Sequence, residues 1–520
     1  MRPVGFATWA SRNMAVGVLV ALQTVISIYW FWSYPSGDEG LHMYNAYRVS
    51  LGEWPYLDFF SYITPGTYLL GGGVLSLAAG KILFLRVFML SLALIEILLM
   101  SQVIKMVVGQ GGVHVLWLTV YVSVTALSAT YFSHHNVDHF FFVVMLYIVA
   151  TRQASMASFA WLGVLVAADS FVHQAHGFYY FIAVGMYLLT PLSAGQSNRF
   201  RYLCVFTLPS CILYIVFFGW LVVNGSFRTF IDDAIIWVVT IYGKDLAFGM
   251  FEDTLFYIRN KTNLVEQGFF LIAKVGVLVG SGIVLCSVVL PEWRKSLQGS
   301  RLQLALLLLA ASFGSLQTLH NPAAYFIIFF VAMSVYLVTN RPSWILYALL
   351  LCTCVQILRV ASFPIRHAHE YDFARRPFVK LEQNFLFESS EASSLIELVK
   401  GLKRNGVQRA VVVGRSPEIY LLTGVKNPTK YDVILPVYLS GEQLASIAEQ
   451  VKAEVVIYDR TLQRLEHAQD FFDVHHYKAK SGRLTQMSEV ELFRQLRLKP
   501  LLFETPAFQV YAAGIHLPAL

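Results

Sequence analysis

Apolar residues in this chain run on without interruption rather than alternating with polar ones. The runs cover roughly 14–33, 85–107, 113–132, 138–151, 157–171, 175–191, 202–223, 268–290, 302–319, 322–339 and 343–361. Runs near 20 residues predict helices that cross the hydrocarbon of a bilayer. The run at 66–80, "GTYLLGGGVLSLAAG", is shorter and holds three consecutive glycines. It is predicted to lie in or on the outer leaflet rather than to cross it. From about 364 the pattern changes. Helical periodicity at 391–404 and 441–453 alternates with short apolar strands at 409–415 and 454–460. The expected fold is an α-helical polytopic membrane protein with about 11 transmembrane helices and a small extracytoplasmic C-terminal α/β domain. Residues 1–361 form the membrane module, with a first outer loop at 34–84, and residues 362–520 form the outer domain.

Composition agrees with that pattern. Of 520 residues, 56% are hydrophobic and 14% charged, against about 25% charged in a soluble domain. Mean hydropathy is +0.57. The formal charge of +7 is read as loop anchoring and contact with anionic headgroups, not as nucleic-acid binding. All five cysteines lie in apolar runs, so no disulfide framework and no CxxC metal site is expected. With 66–80 not crossing, Arg2, Arg12, Lys105, Arg152, Arg199, Arg201, Arg294, Lys295, Arg301 and Arg341 fall on one side, which is the positive-inside pattern. The N-terminus is then cytoplasmic and the tail outside. The first run is long for a signal-peptide core and no clear A-x-A site follows, so it is expected to be a retained first span in the cell (inner) membrane.

The chemistry-bearing residues cluster at the outer ends of the predicted spans. Asp38 and Glu39 follow the first span within a few residues, with His42, Tyr44, Tyr47, Arg48 and Asp58 close behind. A carboxylate at the lipid–water boundary suits a general base acting on an acceptor hydroxyl while the other substrate lies in the bilayer; a solvated polar loop is the alternative. In "YFSHHNVDHFFF", Asp138 stands among His134, His135 and His139. It reads either as an N-cap for a helix starting near His139 or as a second acidic residue facing the first across a cleft. His134 and His135 are adjacent and are not expected to share a helix face, which weighs against a metal site there. His173, Gln174 and His176 form a further polar group. His320 sits in "LHNPAAYF" with Tyr325, and Pro322 there suits a first helical turn. The outer loop 224–267 carries Arg228, Asp232, Asp233, Lys244 and Arg259, which either pair with a lipid phosphate or are simply solvated. "VVVGRS" lacks GxGxxG, so no dinucleotide fingerprint is present.

"GDEGLHMYNAYRVSLGEWPYLDFFSYITPGTYLL" resembles the first outer loop of GT-C glycosyltransferases. The resemblance is to the branch holding the protein O-mannosyltransferases and the lipid A aminoarabinose transferase. Arg86 opening the second span, "NVDHF", "HNPAAYF" and "YLLTGVKNPTKYDVILP" follow in the family's order. The resemblance implies transfer of a sugar from a polyprenyl-phosphate donor to a hydroxyl of an extracytoplasmic lipid, glycan or protein. It implies Asp38 as catalytic base and Asp138 as a second catalytic acidic residue. Glu39, His42, Tyr44, Asp58, Arg86, His134, His135, His173, Gln174, His320 and Tyr325 are the candidate substrate-binding residues. Where relatives carry Lys-Pro-Pro, this chain has Thr64-Pro65-Gly66, so the phosphate ligand must come from elsewhere: Arg86, His320 or a base of 224–267. No nucleotide cofactor is expected and the need for a divalent metal stays open. The alternative is a transporter or flippase of lipid-linked sugars, or a non-catalytic scaffold on the same fold. Transporters often show repeated halves, and none is visible here.

Overall fold

Where residues are described, the predicted apolar runs are helical and in the expected order. The computed structural model describes residues 6–35, 37–109, 112–125, 129–152, 155–189, 198–238, 282, 300–317, 329–331, 333, 336–337, 378–380, 386–389, 391–414, 416–434, 439, 441–460 and 499–513. The helices are α1 (Phe6–Phe31), α2 (Asp38–Ser50), α3 (Gly66–Leu77), α4 (Leu83–Val108), α5 (Gly112–Thr125), α6 (His134–Thr151), α7 (Met156–Val172), α8 (Gln174–Leu189) and α9 (Arg199–Val223). A further helix spans Ser300–Gln317. Among the described residues, α4 and α9 are long and apolar enough to cross a membrane by length and composition. The run predicted at 343–361, and nearly all of 268–290 and 322–339, lie outside the described residues.

α3 has 12 residues, about 18 Å at 1.5 Å per residue, well short of a hydrocarbon core of about 30 Å. Two of its glycines serve packing. A Cβ on Gly71 would meet Ala46 Cβ at 2.7 Å, and one on Gly72 would meet Val49 Cγ1 at 2.5 Å. α2 therefore lies directly against α3. Gly163 performs the same service between α7 and α9, where a Cβ would meet the Phe206 carbonyl; Ser210 Oγ donates to Gly163 O at 2.8 Å across that contact.

The tail forms two sheets. β1 (Phe378–Lys380) pairs antiparallel with β2 (Leu386–Glu388). β3 (Ala410–Val413), β4 (Val455–Asp459), β5 (Leu501–Glu504) and β6 (Phe508–Tyr511) form a sheet ordered β3-β4-β6-β5. β3 and β4 are parallel and the other pairs antiparallel. Helices Ala392–Arg404 and Gly441–Val451 flank them, as the periodicity predicts.

The tail is not a separate body beside the helices. Tyr44 of α2 stacks on Tyr420 with centroids 4.9 Å apart. Glu388 N–H donates to Trp32 O at 3.1 Å, and Phe60 N–H donates to Lys430 O at 2.7 Å. Met43 and Ala46 share one buried apolar cluster with Leu395, Ile419 and Val510. Burying these groups together stabilises the joint by the usual apolar-area effect.

One polar contact in this joint is pH-sensitive. Glu418 is buried, Tyr34 Oη donates to its Oε1 at 3.3 Å, and Gly40 leaves room for its Oε2. Burial pushes the Glu418 carboxyl up to about 8, with Asp459 and Glu391 adding to the rise. A carboxyl raised in the folded state contributes stability that is full below its unfolded value near 4.5 and lost as pH rises through about 8. Stability is expected to fall by on the order of 3–5 kcal/mol between pH 5 and 9. Glu418→Gln should flatten that limb in thermal unfolding scans across pH; an unchanged alkaline limb would contradict the assignment.

Candidate functional site: a carboxylate cleft backed by a row of imidazoles

α2 opens on Gly37, whose φ of 60° suits glycine. Asp38 and Glu39 occupy its first turn, where the helix dipole favours carboxylates. Consecutive helical side chains diverge by about 100°, and here the two separate completely. Asp38 lines a small cleft, about 30 Å³, with Asn45, Ser61, Tyr68 and Asp432. Glu39 points inward, 4% exposed.

Glu39 is held by Arg86. Arg86 Nη2 donates to Glu39 Oε2 at 2.8 Å and Nε to Oε1 at 3.2 Å. Arg86 Nη1 donates to the Phe31 and Ser33 carbonyls at the end of α1. Burial pushes the Glu39 carboxyl up, while Arg86 pulls it down. The pair ties α2 to α4 and to the first helix. The Arg86 guanidinium is thus engaged by Glu39 and two backbone carbonyls, and it is not among the residues lining the cleft.

The carboxylate sharing the cleft with Asp38 is Asp432, which comes from the tail. Arg48 Nη1 donates to Asp432 Oδ1 at 2.7 Å, Nε to Glu53 and Nη2 to the Asp58 carbonyl. Burial pushes the Asp432 carboxyl up, against the pull of Arg48. Asp58 turns its own carboxylate onto Trp54 N–H at 2.7 Å and caps an exposed turn. Asp233 is buried, and burial pushes it up to about 6 against the pull of Lys430. Arg228 and Asp232 form an exposed pair at 3.8 Å.

Behind the cleft stands a row of imidazoles. His42 Nε2 and His134 Nδ1 are 3.1 Å apart. The His134 ring lies 3.9 Å from that of His135 and 5.0 Å from that of His173. His173 and His176 follow at 4.0 Å. His176 Nδ1–H donates to Asp138 Oδ2 at 2.5 Å, which ends the row. Burial pushes the His42 imidazole down to about 4 despite Asp38 nearby, so it is neutral at pH 7.

Two expectations change here. The helix starts at His134 rather than near His139, and Ser133 caps it by accepting from Asn136 N–H. Asp138 is therefore one turn inside, 3% exposed, and not a cap. Adjacent His134 and His135 do meet, because at a first helical turn the reach of the rings spans the angle between their Cα–Cβ bonds. Asp138 is not among the residues lining the cleft of Asp38; the histidines lie between.

Gln174 pins the loop below the cleft. It accepts from Thr64 N–H and Oγ1 at 3.3 Å and donates to Tyr62 O at 3.0 Å. His320, Tyr325, Lys244 and Arg259 lie outside the described residues. Two carboxyls not singled out from sequence are buried in the helices. Glu96 accepts from Tyr121 Oη and His139 Nδ1, each at 3.1 Å. Asp169 is 0% exposed and faces Asp138. The signal for both was a lone acid inside an apolar run.

Two solved structures of one protein, ArnT, align with nearly the whole chain. The structure of ArnT from Cupriavidus metallidurans bound to undecaprenyl phosphate matches with 9% identity, over 97% of this chain and 99% of that chain, at a TM-score of 0.42. The apo structure of the same protein matches with 10% identity, over 96% and 98%, also at 0.42. No protein-family profile and no curated protein sequence matches.

Proposed function

We propose that this protein is a membrane glycosyltransferase. It takes a sugar from a polyprenyl-phosphate donor and places it on a hydroxyl of a lipid, glycan or protein outside the membrane. One observation carries the reading: Asp38 lines a small cleft at the start of α2, seven residues beyond the end of α1. A lipid-held donor and a water-side acceptor meet at such a place.

The chemistry asked of the cleft is small. The donor already carries a phosphate leaving group, so no nucleotide has to be bound. Asp38 accepts the proton of the acceptor hydroxyl as its oxygen attacks the anomeric carbon. The bond from that carbon to the phosphate oxygen breaks on the opposite face, and the lipid phosphate departs with the electron pair. The product is inverted. Asn45, Ser61 and Tyr68 along the cleft offer hydrogen bonds that orient the sugar hydroxyls. Asp432 holds Arg48 beside them, so the tail completes the cleft wall.

Topology is part of the same reading: N-terminus cytoplasmic, loop 34–84 and the tail outside. Cysteines placed at 81–84, between the end of α3 and the first turn of α4, should react with an impermeant thiol reagent added to whole cells from outside. Labelling only after the inner face is exposed would move the cleft to the wrong side of the membrane. Transfer is tested by incubating purified protein with polyprenyl-phosphate sugars and cell-envelope acceptors, with mass spectrometry of the products.

A further inference from the structure

We propose that His134, His135 and His173 form a binding site for a transition-metal ion of the zinc class. The inference does not depend on the glycosyltransferase reading. One ligand atom from each of the three residues lies within 4.8 Å of the others. In a tetrahedral zinc site, with Zn–N bonds of about 2.0–2.1 Å, neighbouring ligand atoms stand about 3.4 Å apart. The three imidazoles therefore need to draw together by about 1.4 Å at most, within the range of small χ adjustments.

The surroundings fit a ligand set better than a packed core. Among the described residues, the buried His173 Nδ1 has no hydrogen-bond partner. A buried polar atom left so is costly, and an ion at that atom removes the cost. His134 has its Nδ1 against His42 Nε2 at 3.1 Å. That leaves its Nε2 as the ligand atom, and it reproduces the outer hydrogen bond that orients most metal-bound histidines. His176 stands with its ring edge-on to His173, at 89°, and is itself fixed by Asp138. His173 is thus held from behind by a carboxylate–histidine pair. An all-imidazole set suits zinc, copper, nickel or iron and not magnesium or calcium. The partial exposure of His135 leaves a path for the ion.

An ion here would join the first turn of α6 to the turn between α7 and α8, directly behind His42 and the cleft. Its effect is to fix the back wall. The test uses the full chain, purified in detergent without a polyhistidine tag and stripped with chelator. Zn²⁺ is then added and bound metal counted by elemental analysis after desalting; Co²⁺ is added in parallel for its visible absorption. One Zn²⁺ per chain is expected, together with a tetrahedral Co²⁺ spectrum and a raised unfolding temperature. His135→Ala and His173→Ala should abolish stoichiometric binding. His176→Ala and Asp138→Asn should keep it with affinity weakened about 10–100-fold. The proposal is overturned by absence of stoichiometric metal in the folded wild type. It is equally overturned if His176→Ala loses the ion while His135→Ala retains it, which would assign the ion to Asp138, His173 and His176. Neither outcome touches donor turnover, so failure here is distinct from failure of the transfer reading.

Discussion

Asp38→Asn is expected to lower sugar transfer by about two orders of magnitude or more, the usual scale for loss of a general base. The substitution keeps size and hydrogen-bonding shape and removes the charge. Its structural cost should be small. Asp38 is partly exposed at the cleft and sits at a helix N-terminus, where the loss of a charge–dipole interaction is worth about 0.3–1 kcal/mol. Normal membrane abundance with transfer lost is therefore the expected pairing. The neighbouring acids behave differently. Asp58→Asn alters an exposed turn and should leave transfer near wild type. Asp138→Asn should impair transfer less than Asp38→Asn, since it acts through His176. If Asp38→Asn keeps near-full transfer while Asp58→Asn abolishes it, the base has been misplaced.

The second large effect is on folding. Arg86→Ala should destabilise the protein by about 3–5 kcal/mol, because it leaves the buried Glu39 carboxylate without its partner. It also deprives the Phe31 and Ser33 carbonyls of their donor. Thermal unfolding in detergent and membrane abundance both report this. Replacing the pair together, Glu39→Gln with Arg86→Met, should recover much of the loss, since no uncompensated charge remains. Equal damage from the single and double changes would mean that Arg86 acts through something other than Glu39. Loss of transfer without loss of stability in Arg86→Ala would instead place Arg86 on the donor phosphate.

The helices were readable from the sequence because long apolar runs leave little choice of structure. The strands β3 and β4 were readable for a similar reason: "AVVV" and "VVIYD" are short, β-branched and bounded by helical segments. The division of labour between Asp38 and Glu39 was not. Two adjacent acids look alike in sequence, and their separation depends on Arg86, 47 residues along the chain from Glu39. Asp432 was hidden for the same reason, being 384 residues from the Arg48 that it holds. The imidazole row was only half visible. His42, His134, His135, His173 and His176 were each apparent, but their meeting depends on how α2, α6 and the α7–α8 turn pack. Tyr44, a candidate substrate residue, stacks on Tyr420 at the joint with the tail, a contact between segments far apart in sequence that no local pattern announces.

The most direct measurement follows the fate of the donor. Purified protein in bilayer vesicles is given a polyprenyl-phosphate sugar and an envelope extract as acceptor, and free polyprenyl phosphate is quantified over time beside the glycosylated product. Release of polyprenyl phosphate in step with product, inverted at the anomeric carbon and lost in Asp38→Asn, is the expected result. An intact donor that only changes leaflet, with no polyprenyl phosphate released by a folded protein, would contradict the transferase reading and favour a carrier of lipid-linked sugars.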